Sequence, residues 1–131
     1  MVKSILVDTS VWITYYRKDE TVFAEINQLA EDERVRLTGL ILAELHQGCK
    51  TQKEMTVISD MADVFPSLPE PADCWVKAGK LANKLRKKGQ TIGLADCYLA
   101  IIAKEAGALI YSFDKHFEVI AKTYGLELYQ P

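Results

Sequence analysis

Apolar positions along the chain form short continuous runs that alternate with longer stretches of helical spacing. Ser4-Ile-Leu-Val-Asp8 is a short apolar run closed by a turn at Thr9-Ser10, the pattern of a buried strand. Val11 to Arg17 has helical character, and Ser10 is placed to cap it. From Thr21 to Ala30 the apolar residues Val22, Ile26, Leu29 and Ala30 recur at the spacing of an amphipathic helix. Arg34-Val-Arg-Leu37 alternates as a short strand does, Thr38 can cap the apolar segment Leu40 to Leu45, and another helix is expected over Lys53 to Val64. Pro71 at a first helical turn and Gly89 past the end bracket a long helix. Its apolar stripe reads Trp75, Ala78, Leu81, Ala82 and Leu85, with Lys77, Lys80, Lys84 and Lys87 on the opposite face. Leu94 to Ala106 is apolar almost all round, which predicts a buried helix. Ala108 to Tyr111 reads as a second buried strand, followed by a helix from Lys115 to Tyr124 and a last short strand, Leu126 to Tyr129. Continuous apolar strands alternating with helices predict an α/β fold with a parallel sheet covered on both faces.

With 131 residues, one domain over 1–131 is expected, and the one linker-like stretch, Pro66 to Pro71, punctuates helices rather than domains. Apolar residues at 49% and charged residues at 26% match an ordinary globular chain and exclude a disordered or fibrous one. Sixteen basic residues against 18 acidic ones exclude a polycation that holds nucleic acid by bulk charge, so any such binding needs a local patch. Cys49, Cys74 and Cys97 form no CxxC pair, and only two histidines accompany them, which argues against a zinc cluster. The N-terminal apolar run is too short for a signal peptide, and no stretch has the length of a membrane span. The expectation is a soluble, cytoplasmic protein without membrane contact.

Four acids interrupt apolar segments: Asp8 after the first strand, Glu44 within Leu40 to Leu45, Asp96 within Gly93 to Ile102, and Asp114 after Leu109-Ile-Tyr-Ser-Phe113. A buried ionised carboxylate needs a counter-charge, a hydrogen-bond network or a metal. Singly, Asp8 and Asp114 also fit helix caps, and Glu44 fits a solvated helix position; Asp96, among Leu94, Ala95, Cys97 and Leu99, is harder to place that way. In an open parallel sheet the functional crevice lies at the carboxyl ends of the strands, where Asp8 and Asp114 fall. Two carboxylates about 4 Å apart repel by roughly 4 kcal/mol at an effective dielectric near 20, so a cluster of four calls for a cation. Oxygen ligands select a hard ion, magnesium or manganese.

Asp8-Thr-Ser10, Ala43-Glu-Leu45 with Gly48, Leu94-Ala-Asp-Cys97 and Ser112-Phe-Asp-Lys-His-Phe117 together resemble the PIN-domain ribonucleases. In order, spacing and length they are most similar to the toxins of VapBC-type toxin–antitoxin pairs, from Val2 to about Tyr129. The resemblance implies a three-layer sandwich with a central parallel sheet flanked by helices, and magnesium-dependent endonucleolytic cleavage of RNA. It implies that Asp8, Asp96 and Asp114 hold Mg2+ (Mn2+ as a substitute). Glu44 would ligate the ion or orient the attacking water, with Ser112 and Thr9 or Ser10 as supporting hydroxyls. It also implies a homodimer silenced by a small antitoxin protein. Many relatives carry a further Asp where this chain has His116, which is read here, like His46, as a surface residue. No Ser-His-Asp arrangement supports covalent catalysis.

Because the acidic centre repels phosphate, substrate grip has to come from elsewhere. Six of the twelve residues from Lys77 to Lys88 are basic, a candidate RNA-binding strip in which Lys77, Lys80, Lys84 and Lys87 share a face; a solvated helix face is the alternative. Trp12, Tyr15 and Tyr16 fit core or dimer packing better than base stacking. A PIN domain in RNA maturation without a toxin role, and a catalytically silent RNA- or protein-binding PIN module, remain as other readings. A receiver-like switch would want adjacent acids after the first strand, and a haloacid-dehalogenase-type phosphatase would want Asp-x-Asp; Val7-Asp8-Thr-Ser10 offers neither.

Overall fold

The structure is a computed structural model that describes residues 2–131. Three strands, β1 (Ile5–Val7), β2 (Val35–Arg36) and β3 (Leu109–Tyr111), pair in parallel in the order β2-β1-β3. Ile5 registers with Val35 on one side and Leu109 on the other, and Val7 with Tyr111. β1 is central and wholly buried, as its unbroken Ile-Leu-Val run requires. Single parallel bridges, Leu37 to Ser67 and Ile110 to Leu128, extend the sheet at its two edges. The strand expected at Leu126 to Tyr129 is therefore only a bridge, because its backbone engages Ile110 alone: the Ile110 N–H donates to Glu127 and the Tyr129 N–H to Ile110.

Seven helices are found among the described residues: α1 (Thr9–Tyr16), α2 (Glu20–Glu31), α3 (Gly39–Gln47), α4 (Gln52–Val64), α5 (Cys74–Lys87), α6 (Leu94–Glu105) and α7 (His116–Tyr124). Thr38 caps α3 as expected, its hydroxyl accepting the Ile41 N–H at 3.1 Å. A reciprocal Thr51–Glu54 box opens α4. Ser10, in contrast, does not cap α1: the helix already starts at Thr9, the Asp8 carbonyl accepts the Val11 and Trp12 N–H groups, and the Ser10 hydroxyl turns to the Asp8 carboxylate.

α5 begins at Cys74 rather than at Pro71, whose carbonyl accepts the Cys74 N–H in a preceding turn. Gly89 ends it in the left-handed region at φ 85°. The buried stripe is Cys74, Ala78, Leu81 and Leu85, an i, i+4, i+7, i+11 series that leaves Trp75 about 100° round the helix. Trp75 is accordingly 46% exposed and stacks on Tyr98 with ring centroids 4.2 Å apart. α6 is buried from Cys97 through Ala103, packed against β3 and between α5 and α7. α7 runs parallel to α6, since His116 meets Asp96 at their starts and Lys104 meets Tyr124 at their ends. α5 runs antiparallel to α6, its Lys77 reaching Glu105. The three cysteines are free thiols, and no helix among the described residues is long and apolar enough to cross a membrane.

Candidate metal centre

The carboxyl ends of β1 and β3 are tied together by the Asp8 N–H, which donates to the Tyr111 carbonyl at 2.9 Å. Asp8 is 7% exposed and sits at the N-cap of α1, but its side chain does not cap the helix. Its Oδ2 instead accepts both the Ser10 hydroxyl at 2.9 Å and the Ser112 hydroxyl at 2.8 Å. Each serine has one proton and commits it to Asp8, while its oxygen accepts a backbone N–H: Phe113 for Ser10, Asp114 for Ser112. This hydroxyl pair thus fixes the Asp8 carboxylate and the Ser112–Asp114 turn as one unit. Thr9, on the next position, donates to Glu44 Oε1 at 2.8 Å and joins α1 to α3.

Asp96 lies in the first turn of α6 and Asp114 just before α7, so both helix starts point at the ends of the strands. Asp114 Oδ1 accepts the His116 N–H at 2.9 Å. The His116 ring closes the gap between them, with Nδ1 3.1 Å from Asp96 Oδ2 and 3.5 Å from Asp114 Oδ1. One donor atom from each of Asp96, Asp114 and His116 lies within 4.8 Å of the others.

The four acids feel one another. Burial holds the Glu44 carboxyl above the usual carboxylate range against the opposing Thr9 hydrogen bond, and the charges on Asp8 and Asp96 raise it further. Burial likewise pushes Asp96 up despite the hydrogen bond from His116, with Asp114 and Asp8 adding to the rise. The Asp96 hydrogen bond in turn raises His116. Among the described residues no Lys or Arg forms an ion pair with any of the four acids; the one basic side chain against them is the His116 imidazole. Converging carboxylates without a fixed counter-charge fit a divalent cation, and the donor set of carboxylate oxygens suits a hard one.

Reading the sequence alone missed His116. It is half exposed, as that reading expected, but its ring is turned to Asp96 and Asp114 rather than to solvent alone. The signal available was its position two residues past Asp114, on the same turn. His46 stays outside the site, its Nδ1 3.4 Å from the Met55 sulfur. Trp12 is a core residue, 1% exposed and packed on Tyr15, Tyr16 and Phe65.

The basic strip divides. Lys77 pairs with Asp73 at 3.4 Å and Glu105 at 3.1 Å. Glu105 lies nine residues beyond Asp96 on α6, about 13 Å along the helix axis, so Lys77 is both neutralised and remote from the acids. Lys80, Lys84, Arg86, Lys87 and Lys88 are exposed and form no ion pair among the described residues. Lys84, Arg86 and Lys87 occupy the last turn of α5, and the turn from Gly89 to Gly93 leads straight into the Asp96 turn of α6.

The family profile described as PIN domain matches residues 5–123. A VapC ribonuclease of Mycobacterium bovis is 30% identical over 129 residues, covering 94% of this chain and 96% of its own. Among solved structures, DNA-bound VapBC from Salmonella typhimurium is similar with a TM-score of 0.79 at 20% identity, covering 98% of each chain. VapBC2 from Rickettsia felis, bound to a DNA fragment of its promoter, has a TM-score of 0.77 at 21% identity and covers 95% of this chain and 96% of its own.

Proposed function

This chain belongs to the PIN-domain family, and on that premise we propose that it is a magnesium-dependent endoribonuclease, the toxin of a VapBC-type pair. The reading is supported by relatives named VapC ribonucleases and by fold neighbours solved as VapBC complexes. The observation that carries it is the convergence of Asp8, Glu44, Asp96 and Asp114 with no Lys or Arg ion-paired to them among the described residues.

Asp8, Asp96 and Asp114 hold the divalent cation, Mg2+ with Mn2+ as a substitute. When bound, such an ion polarises a phosphodiester and lowers the pKa of water. Ser10 and Ser112 hold the Asp8 carboxylate in one orientation by donating to the same oxygen. Thr9 occupies Glu44 Oε1, which leaves Oε2 to take a proton from the attacking water; the raised pKa of Glu44 makes it a better acceptor near neutrality. Lys84 and Lys87, with Arg86 and Lys88, draw the RNA backbone to the acidic groove, Lys80 extends that track, and Lys77 leaves it. The whole of 1–131 acts as one domain, working in the cytoplasm as a homodimer that a small antitoxin silences.

The test is cleavage of total cellular RNA by the purified chain, with Mg2+ or with chelator, beside an Asp96→Asn variant purified identically. Discrete fragments that require both Mg2+ and Asp96, with a loss of more than about a hundredfold in the variant, are expected. Absence of cleavage by a folded, metal-binding chain would overturn the reading in favour of a silent binding module.

A further inference from the structure

His116 is the one donor in the centre that an all-oxygen magnesium site does not need. Its Nδ1 stands 3.1 Å from Asp96 Oδ2 and 3.5 Å from Asp114 Oδ1. Neighbouring ligand atoms on an octahedral ion with bonds of about 2.1 Å are about 3.0 Å apart. The two distances from the ring nitrogen are therefore close to those of one face of such a shell, and one donor atom from each of the three residues lies within 4.8 Å of the others. The same lone pairs that share a proton between imidazole and carboxylate can share an ion after a small movement. The backbone that carries the ring is also fixed. The His116 N–H is anchored on Asp114, and Phe117, the next residue, is fully buried.

The other half of the centre is built differently. Asp8 and Glu44 are surrounded by the hydroxyls of Ser10, Ser112 and Thr9, all oxygen and all hard. A nitrogen ligand is therefore confined to the side where α6 and α7 begin. Imidazole favours first-row transition ions over Mg2+, which keeps to oxygen; among those ions Mn2+ is the one that also suits carboxylate oxygens.

We propose that His116 Nδ1, Asp96 Oδ2 and Asp114 Oδ1 form a mixed nitrogen–oxygen ligand set that favours Mn2+ over Mg2+, making His116 the metal-selectivity residue of this chain. The inference rests on the divalent-metal reading above and departs from it in one respect, placing Mn2+ ahead of Mg2+ in affinity.

The experiment titrates the metal-free full chain with Mn2+, followed by electron paramagnetic resonance, and measures Mg2+ by competition. Wild type, His116→Asp and His116→Gln are compared, with His46→Gln as the control for the only other imidazole. His116 is exposed at the start of α7, and thermal melting of each metal-free variant checks its fold. The expected result is a Mn2+-over-Mg2+ preference that falls about tenfold or more in His116→Asp while Mg2+ binding survives, a size typical of disturbed metal shells. Pulsed resonance of the Mn2+ form is expected to show nitrogen modulation from a coordinated ring in wild type and His46→Gln, absent in both His116 variants. An unchanged ion preference, or modulation that survives loss of His116, overturns the inference and leaves the metal site standing. Failure of wild type to bind either ion overturns both.

Discussion

At the Lys77 end of the α5–α6 pair charges are matched: Lys77 lies between Asp73 and Glu105, and Lys104 reaches the Tyr124 carbonyl and ring. At the other end they are sorted instead. Asp96 stands within electrostatic reach of Asp8, Glu44 and Asp114, while Lys84, Arg86, Lys87 and Lys88 form no ion pairs among the described residues. The same two helices, with the same residue types, thus form a neutralised seam at one end and separated fields of opposite sign at the other. Acids and bases kept apart within one loop's length leave the acids of that end without a Lys or Arg partner among the described residues, which is the charge arrangement the proposed cation would balance.

Reversing charge at each end in turn breaks or confirms that contrast. Lys84→Glu with Lys87→Glu is expected to weaken RNA binding strongly and to lower the salt slope of log affinity by roughly 0.7 per lost single-strand phosphate contact. Lys77→Glu is expected to leave both unchanged, and filter binding across a salt series reads the two directly. Equal losses from both ends would dissolve the distinction. A smaller effect is expected at the turn that joins the sorted end: Gly89→Ala, forced into φ 85°, should lose about 1 kcal/mol in chemical denaturation.

The smallest effect concerns pH. Asp96 and Glu44 have raised pKa values in the fold, and so does His116. The folded chain therefore binds more protons than the unfolded one, and its stability falls as pH rises. For the acids the loss begins above their ordinary 3.8 and 4.5, and for His116 it continues above 6.5. Melting of the metal-free chain between about pH 5 and pH 8 should show a declining midpoint, with a shallower decline in His116→Gln; a midpoint that climbs with pH would contradict the shifts.

Local periodicity made most of the helices legible. The expected Lys53 to Val64 helix is α4 with one residue added at its start, and Leu94 to Ala106 is α6 with one removed at its end. The acids were legible because a carboxylate in an apolar run violates a local rule. What stayed hidden depends on partners far along the chain. Lys77 is neutralised by a residue 28 positions away, and His116 acquires its role from Asp96, 20 positions away, only because α6 and α7 run parallel. Trp75 was misplaced for a different reason: one residue of register separates a buried stripe from an exposed flank, and an aromatic side chain draws the stripe towards itself.

The pairing of β1 with β3 has a consequence for the order in which the chain becomes active as it is made. Val7 meets Tyr111, and Asp8 meets Ser112 across 104 positions, so the central strand, whose β2 partner comes early, gains its β3 partner only after most of the chain is synthesised. At 5–20 residues per second that wait is roughly 5–20 s. Throughout it Asp8 has the Ser10 hydroxyl but lacks that of Ser112, and Asp96 and Asp114 have not both joined it. A nascent chain at that stage therefore carries its four acids unassembled, and the candidate metal centre comes together only after Ser112 and Asp114 are in place.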